Sequence, residues 1–289
     1  MAEQSLGGRI LDGYGDLIAQ HIDDAPEGVR QALSVAFNVE RAKVTLLPEL
    51  KVHPFSRDAA SIALRSVTDA LNDFGSSVVT SIFLPSEMFL SMGVHPVTAE
   101  ALSGFVTAAH AETGFVGEAE GMGVPETYCS FHKVLMGLAT SGVLPAPRLL
   151  ASCSVPCDAN NLSFKALSHV WGTPHVYVDV PYATADDAAA VAYVADQLRF
   201  LAHAAERAYG TDLDEVELRR HVANSQETLA SLRRSLPLRR GHFMRSDMGN
   251  EMQLALATHL WLGTDDTLRM ARHMERDLAS AQDYDGVSI

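Results

Sequence analysis

Short β-branched runs alternate with helical stretches between residues 76 and 180, and this alternation constrains the fold more than any other feature. Residues 76–84 (SSVVTSIFL) are apolar and β-branched and are bounded by Gly75 and Pro85, the pattern of a buried strand. A second short strand is expected at 148–152 and a third at 175–180, with helical segments at about 98–113, 131–140 and 161–170. Strands separated by helices predict βαβ units, so the three strands should be parallel neighbours joined by right-handed crossovers.

After Pro181 the pattern is helical only. Thr184 can cap a helix with apolar positions Val191, Val194, Leu198, Leu201 and Ala205, closed by Gly210. Leu218, Val222, Ser225, Leu229, Leu232 and Leu236 recur at three and four in a second helix, which Pro237 should stop. Two more helices are expected at about 246–261 and 265–280, and residues 1–75 read as mainly helical. The chain is therefore expected to be α/β. A Rossmann-like parallel-sheet domain with a helical N-terminal segment (1–182) precedes an all-helical segment (183–289).

A formal net charge of −14 argues against nucleic acid as a partner, because phosphate binding needs a basic face. The first twenty residues include Arg9, Asp12 and Asp16 and lack the apolar core of a secretory signal. No run of about 18 apolar residues suggests a membrane span, so a cytoplasmic location away from the membrane is expected. The P-loop, the dinucleotide-binding glycine motif, the zinc-protease helix and the hydrolase nucleophile elbow are all missing.

All three cysteines lie between Cys129 and Cys157. With an odd count and no export signal, a disulfide framework is not expected. Inert core packing does not account for their polar, turn-rich surroundings beside Pro156, Asp158 and Asn160. Cys157 precedes one expected helix and Cys129 another, where unpaired amide N–H groups put partial positive charge beside the sulfur. Ligands of open parallel sheets bind outside the carboxyl ends of the strands, where Pro85-Ser86-Glu87, Cys153 to Asp158 and Pro181-Tyr182 should converge. Two metal sites are open on the residues alone. Cys129-x-x-His132 with Cys153-x-x-x-Cys157 would make a zinc site. Three thiolates from Cys129, Cys153 and Cys157 would instead hold an iron–sulfur cluster with one iron left open. Glu87 is the candidate proton-transfer group and is expected in the same cleft as Cys157.

Several of these segments together resemble the 2-hydroxyacyl-CoA dehydratase family, which includes the related benzoyl-CoA reductase subunits. Pro85-x-Glu87-x-x-x-x-x-Gly93-x-x-Pro96 is similar to one family segment. Cys129-Ser-Phe-His-Lys133, followed by Gly137, resembles the first cluster cysteine and its helix, and Cys157-Asp158 the second. Gly172-Thr-Pro174 and Pro174-x-x-x-x-Asp179-x-Pro181 come next, then Gln197-Leu198 and Gly210-x-x-x-Asp214, so the likeness covers roughly residues 78–236. The resemblance implies an oxygen-sensitive 4Fe–4S cluster and radical removal of water from a 2-hydroxyacyl-CoA thioester. It also implies a heterodimer with a second dehydratase subunit and an electron supplied by an ATP-hydrolysing activator protein. A benzoyl-CoA-reductase-like electron-transfer subunit, or a non-catalytic or zinc-stabilised binding subunit, are the alternatives. In the family the third cluster cysteine lies in a second α/β domain, whereas here no cysteine follows Cys157. Either Cys153 takes that position, or another chain supplies it, or the cluster is lost.

Overall fold

The computed structural model describes residues 6–47, 53–155, 157–184, 187–240 and 248–281. Three helices, α1 (Leu6–His21), α2 (Pro26–Leu46) and α3 (Pro54–Asn72), precede the first strand, and the chain divides into two compact units. The first comprises Met1–Phe37, Val67–Leu84 and Val94–Thr211, and the second Asn38–Ser66, Pro85–Gly93 and Asp212–Ile289. No described helix is long and apolar enough to cross a membrane.

The first unit is built on four parallel strands, β1 (Ser77–Thr80), β2 (His95–Thr98), β3 (Leu150–Cys153) and β4 (His175–Val178), in the order β2-β1-β3-β4. The three expected strands are parallel neighbours, with Val79 opposite Leu150 and Leu150 opposite His175. Every residue of β1 and β3 is buried, as expected of parallel strands covered on both faces. Around the sheet are α5 (Ala99–Ala108), α6 (Glu112–Gly121), α7 (Ser130–Thr140), α8 (Asp158–Trp171) and α9 (Ala188–Tyr209). Leu102 and Val106 of α5, Leu135 and Leu138 of α7, and Phe164 and Leu167 of α8 bury completely or nearly so.

The first predicted strand is shorter than its apolar run. β1 ends at Thr80 because the chain turns at once: the Leu84 amide donates to the Ser81 carbonyl at 3.1 Å, and Phe83 is exposed. β2 is an addition that four residues with a proline did not suggest. Pro96 is tolerated there because β2 is an edge strand, where a missing N–H leaves no ladder partner unmet. The helix expected over about 98–113 is two, α5 and α6, broken at His110, which adopts φ 56°. Asp187, not Thr184, caps α9, its carboxylate accepting from the Ala189 and Ala190 amides at 3.0 and 3.1 Å.

In the second unit α10 (Glu215–Leu238) packs on α12 (Asp265–Ala279) and on the short α4 (Glu87–Ser91), and α11 (Met248–Leu260) adds Leu256 and Leu260 to the core. Residues 246 and 247 of the third predicted helix lie outside the described residues. Pro237 lies in the last turn of α10, which ends one residue later at Leu238. The buried face of α10 differs from the apolar stripe: His221, Ser225, Thr228, Ser231 and Ser235 face inward, while Val222, Leu229 and Leu236 are exposed. Small hydroxyl residues let neighbouring elements approach and bond directly. Ser231 Oγ donates to Glu275 at 2.7 Å and Ser225 Oγ to Glu87 at 2.6 Å.

One close approach fixes the α6–α7 contact of the first unit. A Cβ on Gly137 would lie 2.0 Å from the Phe115 carbonyl oxygen. Backbone cannot yield as a side-chain tip can, so Gly137→Ala is expected to destabilise the protein by about 2–3 kcal/mol. A thermal melt unchanged by the substitution would contradict this packing.

Candidate functional site

Strand order β2-β1-β3-β4 makes β1 and β3 the pair at which the chain switches direction across the sheet. Ligands of such sheets bind outside the carboxyl ends at the switch. Here that end is closed by a hydrogen-bonded knot. Ser81 donates its amide to the Ala151 carbonyl (3.1 Å), and its hydroxyl accepts from the Cys153 amide (3.2 Å). The Cys153 thiol is 3% exposed, lies 3.5 Å from Ser81 Oγ and donates to the Val155 carbonyl at 3.2 Å. Its sulfur is thus committed to the sheet end.

Cys129 and Cys157 are differently placed. Each is the residue that begins a helix, Cys129 for α7 and Cys157 for α8, and neither sulfur makes a capping bond. Serine, threonine, aspartate or asparagine at such positions would satisfy an amide of the first turn. A cysteine leaves those amides uncapped, and neither sulfur has a hydrogen-bond partner among the described residues, with the positive end of the helix dipole beside it. Cys129 is exposed and Cys157 partly so.

Tyr128 ties the two helix starts together. Its hydroxyl donates to the Ala159 carbonyl in the first turn of α8 (2.6 Å) and meets Ser163 Oγ at 3.0 Å. Burial raises its pKa, against the Ser163 hydrogen bond, and the electrostatic influence of neighbouring Cys157 and Cys129 acts in the raising direction. The phenol is thereby held neutral between the two cysteines. Buried Lys133 fixes the loop before α7 from the other side, donating to Glu120 (2.6 Å) and to the Glu126 carbonyl (2.9 Å). At the edge of the sheet, Gln197 of α9 clasps the backbone of Asp179, accepting from its amide (2.8 Å) and donating to its carbonyl (2.9 Å).

His132, the fourth ligand of the zinc reading, is buried in a T-shaped ring contact with Tyr128, and burial lowers its pKa. Among the described residues no three His, Cys, Asp or Glu side chains are grouped so as to hold a metal ion. Cys129 and Cys157, at helix starts and at least partly exposed, have the chemistry of thiolate ligands. Cys153 does not, since its thiol is spent within the fold.

Glu87 belongs to the second unit, where it opens α4. Its Oε1 accepts from Ser225 Oγ, and its Oε2 is buried without a partner among the described residues. Gly263 makes this seat possible. It holds φ 96°, and a Cβ there would meet the His221 carbonyl at 2.8 Å and Glu87 Cγ at 3.0 Å.

One group was not foreseen. Glu100, in the first turn of α5, has a buried Oε2 without a partner and an Oε1 that receives only a long 3.4 Å bond from Asn160 Nδ2. Asn160, 1% exposed in the first turn of α8, also leaves its Oδ1 unpaired. Loss of hydration raises the Glu100 pKa to about 7, and the opposing pull of the nearby Glu100 and Ile82 amides and of Thr98 offsets only part of that rise. A glutamate in the first turn of a capped helix reads as ordinary dipole pairing, so the sequence carried no signal of its burial.

Residues 81–287, more than half the chain, match the family model described as 2-hydroxyglutaryl-CoA dehydratase, D-component. The chain belongs to this family. No curated protein matches it. As a D-component-type chain it is part of a dehydratase-related group, and the strand-end segment, both helix-start cysteines and all of α8–α10 fall inside the matched span.

Glu100 gives a pH signature with a definite sign. Its folded-state pKa of about 7 lies above the ordinary 4.5, so between these values the folded protein holds a proton that the unfolded chain has lost. Its contribution to stability is present below pH 4.5 and is lost as pH rises through 7, on the order of 3 kcal/mol in all. Glu100→Gln should remove that slope and stabilise the protein at pH 8, read from melts across pH 5–8. Parallel pH profiles for the two proteins would rule out a buried, proton-holding Glu100.

Proposed function

We propose that this chain is a subunit of a 2-hydroxyacyl-CoA dehydratase-type iron–sulfur enzyme, and that Cys129 and Cys157 ligate its cluster outside the carboxyl end of the sheet. The observation that carries this reading is the pair of helix-starting cysteines with uncommitted sulfurs, tied together by Tyr128. Family membership supports the reaction class. The remaining ligation comes from outside this chain, from a second dehydratase subunit or solvent, because Cys153 is engaged with Ser81 and Val155.

When bound, the 4Fe–4S cluster supplies one-electron transfer and an iron able to polarise a substrate oxygen. The chain's own residues do the rest. First-turn amides of α7 and α8 offset negative charge on the sulfurs, and neutral Tyr128 adds none of its own. Glu87 is the proton-transfer group for removal of water from the 2-hydroxyacyl-CoA. Ser225 orients one of its oxygens and leaves the other uncommitted. The electron is delivered by an ATP-hydrolysing activator protein, and the enzyme works in the cytoplasm.

Anaerobic reconstitution with iron and sulfide is expected to give cluster absorption in the wild-type chain mixed with its partner subunit. Cys129→Ala and Cys157→Ala should each abolish iron incorporation, while Cys153→Ala should retain it and lose about 1 kcal/mol of stability through its hydrogen bonds. Equal iron loss in all three variants would defeat this ligand assignment. Glu87→Gln should keep full iron content but lower turnover about 100-fold or more in the assembled enzyme.

A further inference from the structure

Within the second unit, a groove of about 460 Å³ is lined, among the described residues, by Arg234, Arg272, Glu275, Arg276 and Ala279, at the contact of α10 and α12. Its volume falls in the range of small-molecule sites. Three arginines face one glutamate there, in a chain with 36 acidic and 22 basic residues.

That glutamate is already satisfied. Glu275 accepts from Arg234 Nε at 2.8 Å, from Arg234 Nη2 at 3.1 Å and from Ser231 Oγ at 2.7 Å. Those bonds, Arg234 first, hold its pKa below the usual carboxylate range. Arg234 also reaches Glu227 at 2.9 Å, so its guanidinium is fixed in orientation. Glu275 is thus engaged on both oxygens.

Several arginines of this unit are held in ion pairs. Arg65 and Arg269 pair with Asp266, Arg220 with Asp265 and Arg239 with Glu251. Arg272 and Arg276 are exposed and make no ion pair among the described residues. They stand one turn apart on α12, on the same face, where like charges repel. Two unpaired guanidiniums beside a third that is rigidly held form a concave cationic surface with no structural return of its own. An anion in the groove would relieve the repulsion.

We propose that this groove binds the phosphate groups of a small nucleotide-type ligand, with Arg272 and Arg276 as phosphate forks and Arg234, positioned by Glu275, as the third donor. The planar fork of a guanidinium matches phosphate oxygens two at a time and can also stack on a purine ring. Ala279 leaves one wall of the groove low. Two ligands share this chemistry: the adenosine end of a CoA thioester, whose assignment rests on the dehydratase reading above, and a free nucleotide.

Calorimetric titration of the full chain with CoA, adenosine 3′,5′-bisphosphate, ADP and pyrophosphate tests the assignment. Saturable binding of CoA and the bisphosphate, with ADP weaker, is expected if the ligand is the thioester; ADP binding as tightly as CoA identifies a free nucleotide. In either case Arg272→Gln and Arg276→Gln should each weaken binding about tenfold and together about 100-fold, the loss of one charge-assisted contact apiece. Both side chains are exposed, so unchanged melts should accompany the loss. Binding that persists undiminished in the double variant, or no saturation by any of the four probes at millimolar concentration, overturns the proposal. Iron incorporation at Cys129 and Cys157 is read separately, in the other unit. Phosphate binding without iron removes the dehydratase reading and keeps the groove, whereas iron without phosphate binding removes the groove alone.

Discussion

The pairing of β1 with β3 is the constraint on which the first unit depends. Only Val79 with Leu150 and Thr80 with Ala151 are in register between these strands, yet they carry the reversal of chain direction across the sheet. Ser81 extends this short ladder past its end, giving its amide to Ala151 and taking the Cys153 amide on its hydroxyl. Buried amides that lose a partner cost more than the bonds return, so the hydroxyl at 81 and the strand end at 153 hold each other in place. The positions of α7 and α8 at the carboxyl edge follow from that closure.

The three cysteines divide by chemistry as a result. Cys153 completes the sheet end and behaves as a small buried residue with a weak donor. Cys129 and Cys157 begin helices without capping them, which leaves the first-turn amides without a side-chain cap beside each sulfur. Tyr128 and Lys133 supply the stiffness that such a pair needs, one by reaching α8 and the other by anchoring the loop to α6. The buried Glu100–Asn160 pair lies in the first turns of α5 and α8, and its missing hydrogen bonds are a cost that closer packing alone would not incur.

The second unit solves a different problem. Its longest helix turns serines and a threonine inward, and the resulting seam is held by directed bonds to Glu87 and Glu275 as well as by apolar contact. Trp261, Met270, Met274 and Leu278 supply the apolar core beside it. Gly263 is required at the point where backbone, Ser225 and Glu87 crowd together.

The βαβ pattern and the helices after Pro181 were legible because burial on both faces of a parallel strand, and on one face of a helix, leaves a periodic record in the residues. The family segments around Glu87, Cys129 and Cys157 were legible for a related reason: helix starts and strand ends are set by neighbouring residues. Other features had no such local record. β2 is too short to show a period, and α10 buries its serines because of what α4 and α12 present to it, against its own leucine stripe. Which cysteine is spent inside the sheet, and which carboxylate loses its water, depends on partners far off in the chain: Ser81 for Cys153, Asn160 for Glu100. The sequence by itself determined the order and kind of the elements and the residues at their ends. Only the tertiary structure decided which of those residues remain free to bind, because desolvation and hydrogen-bond partnership arise from contacts that no short stretch of chain contains.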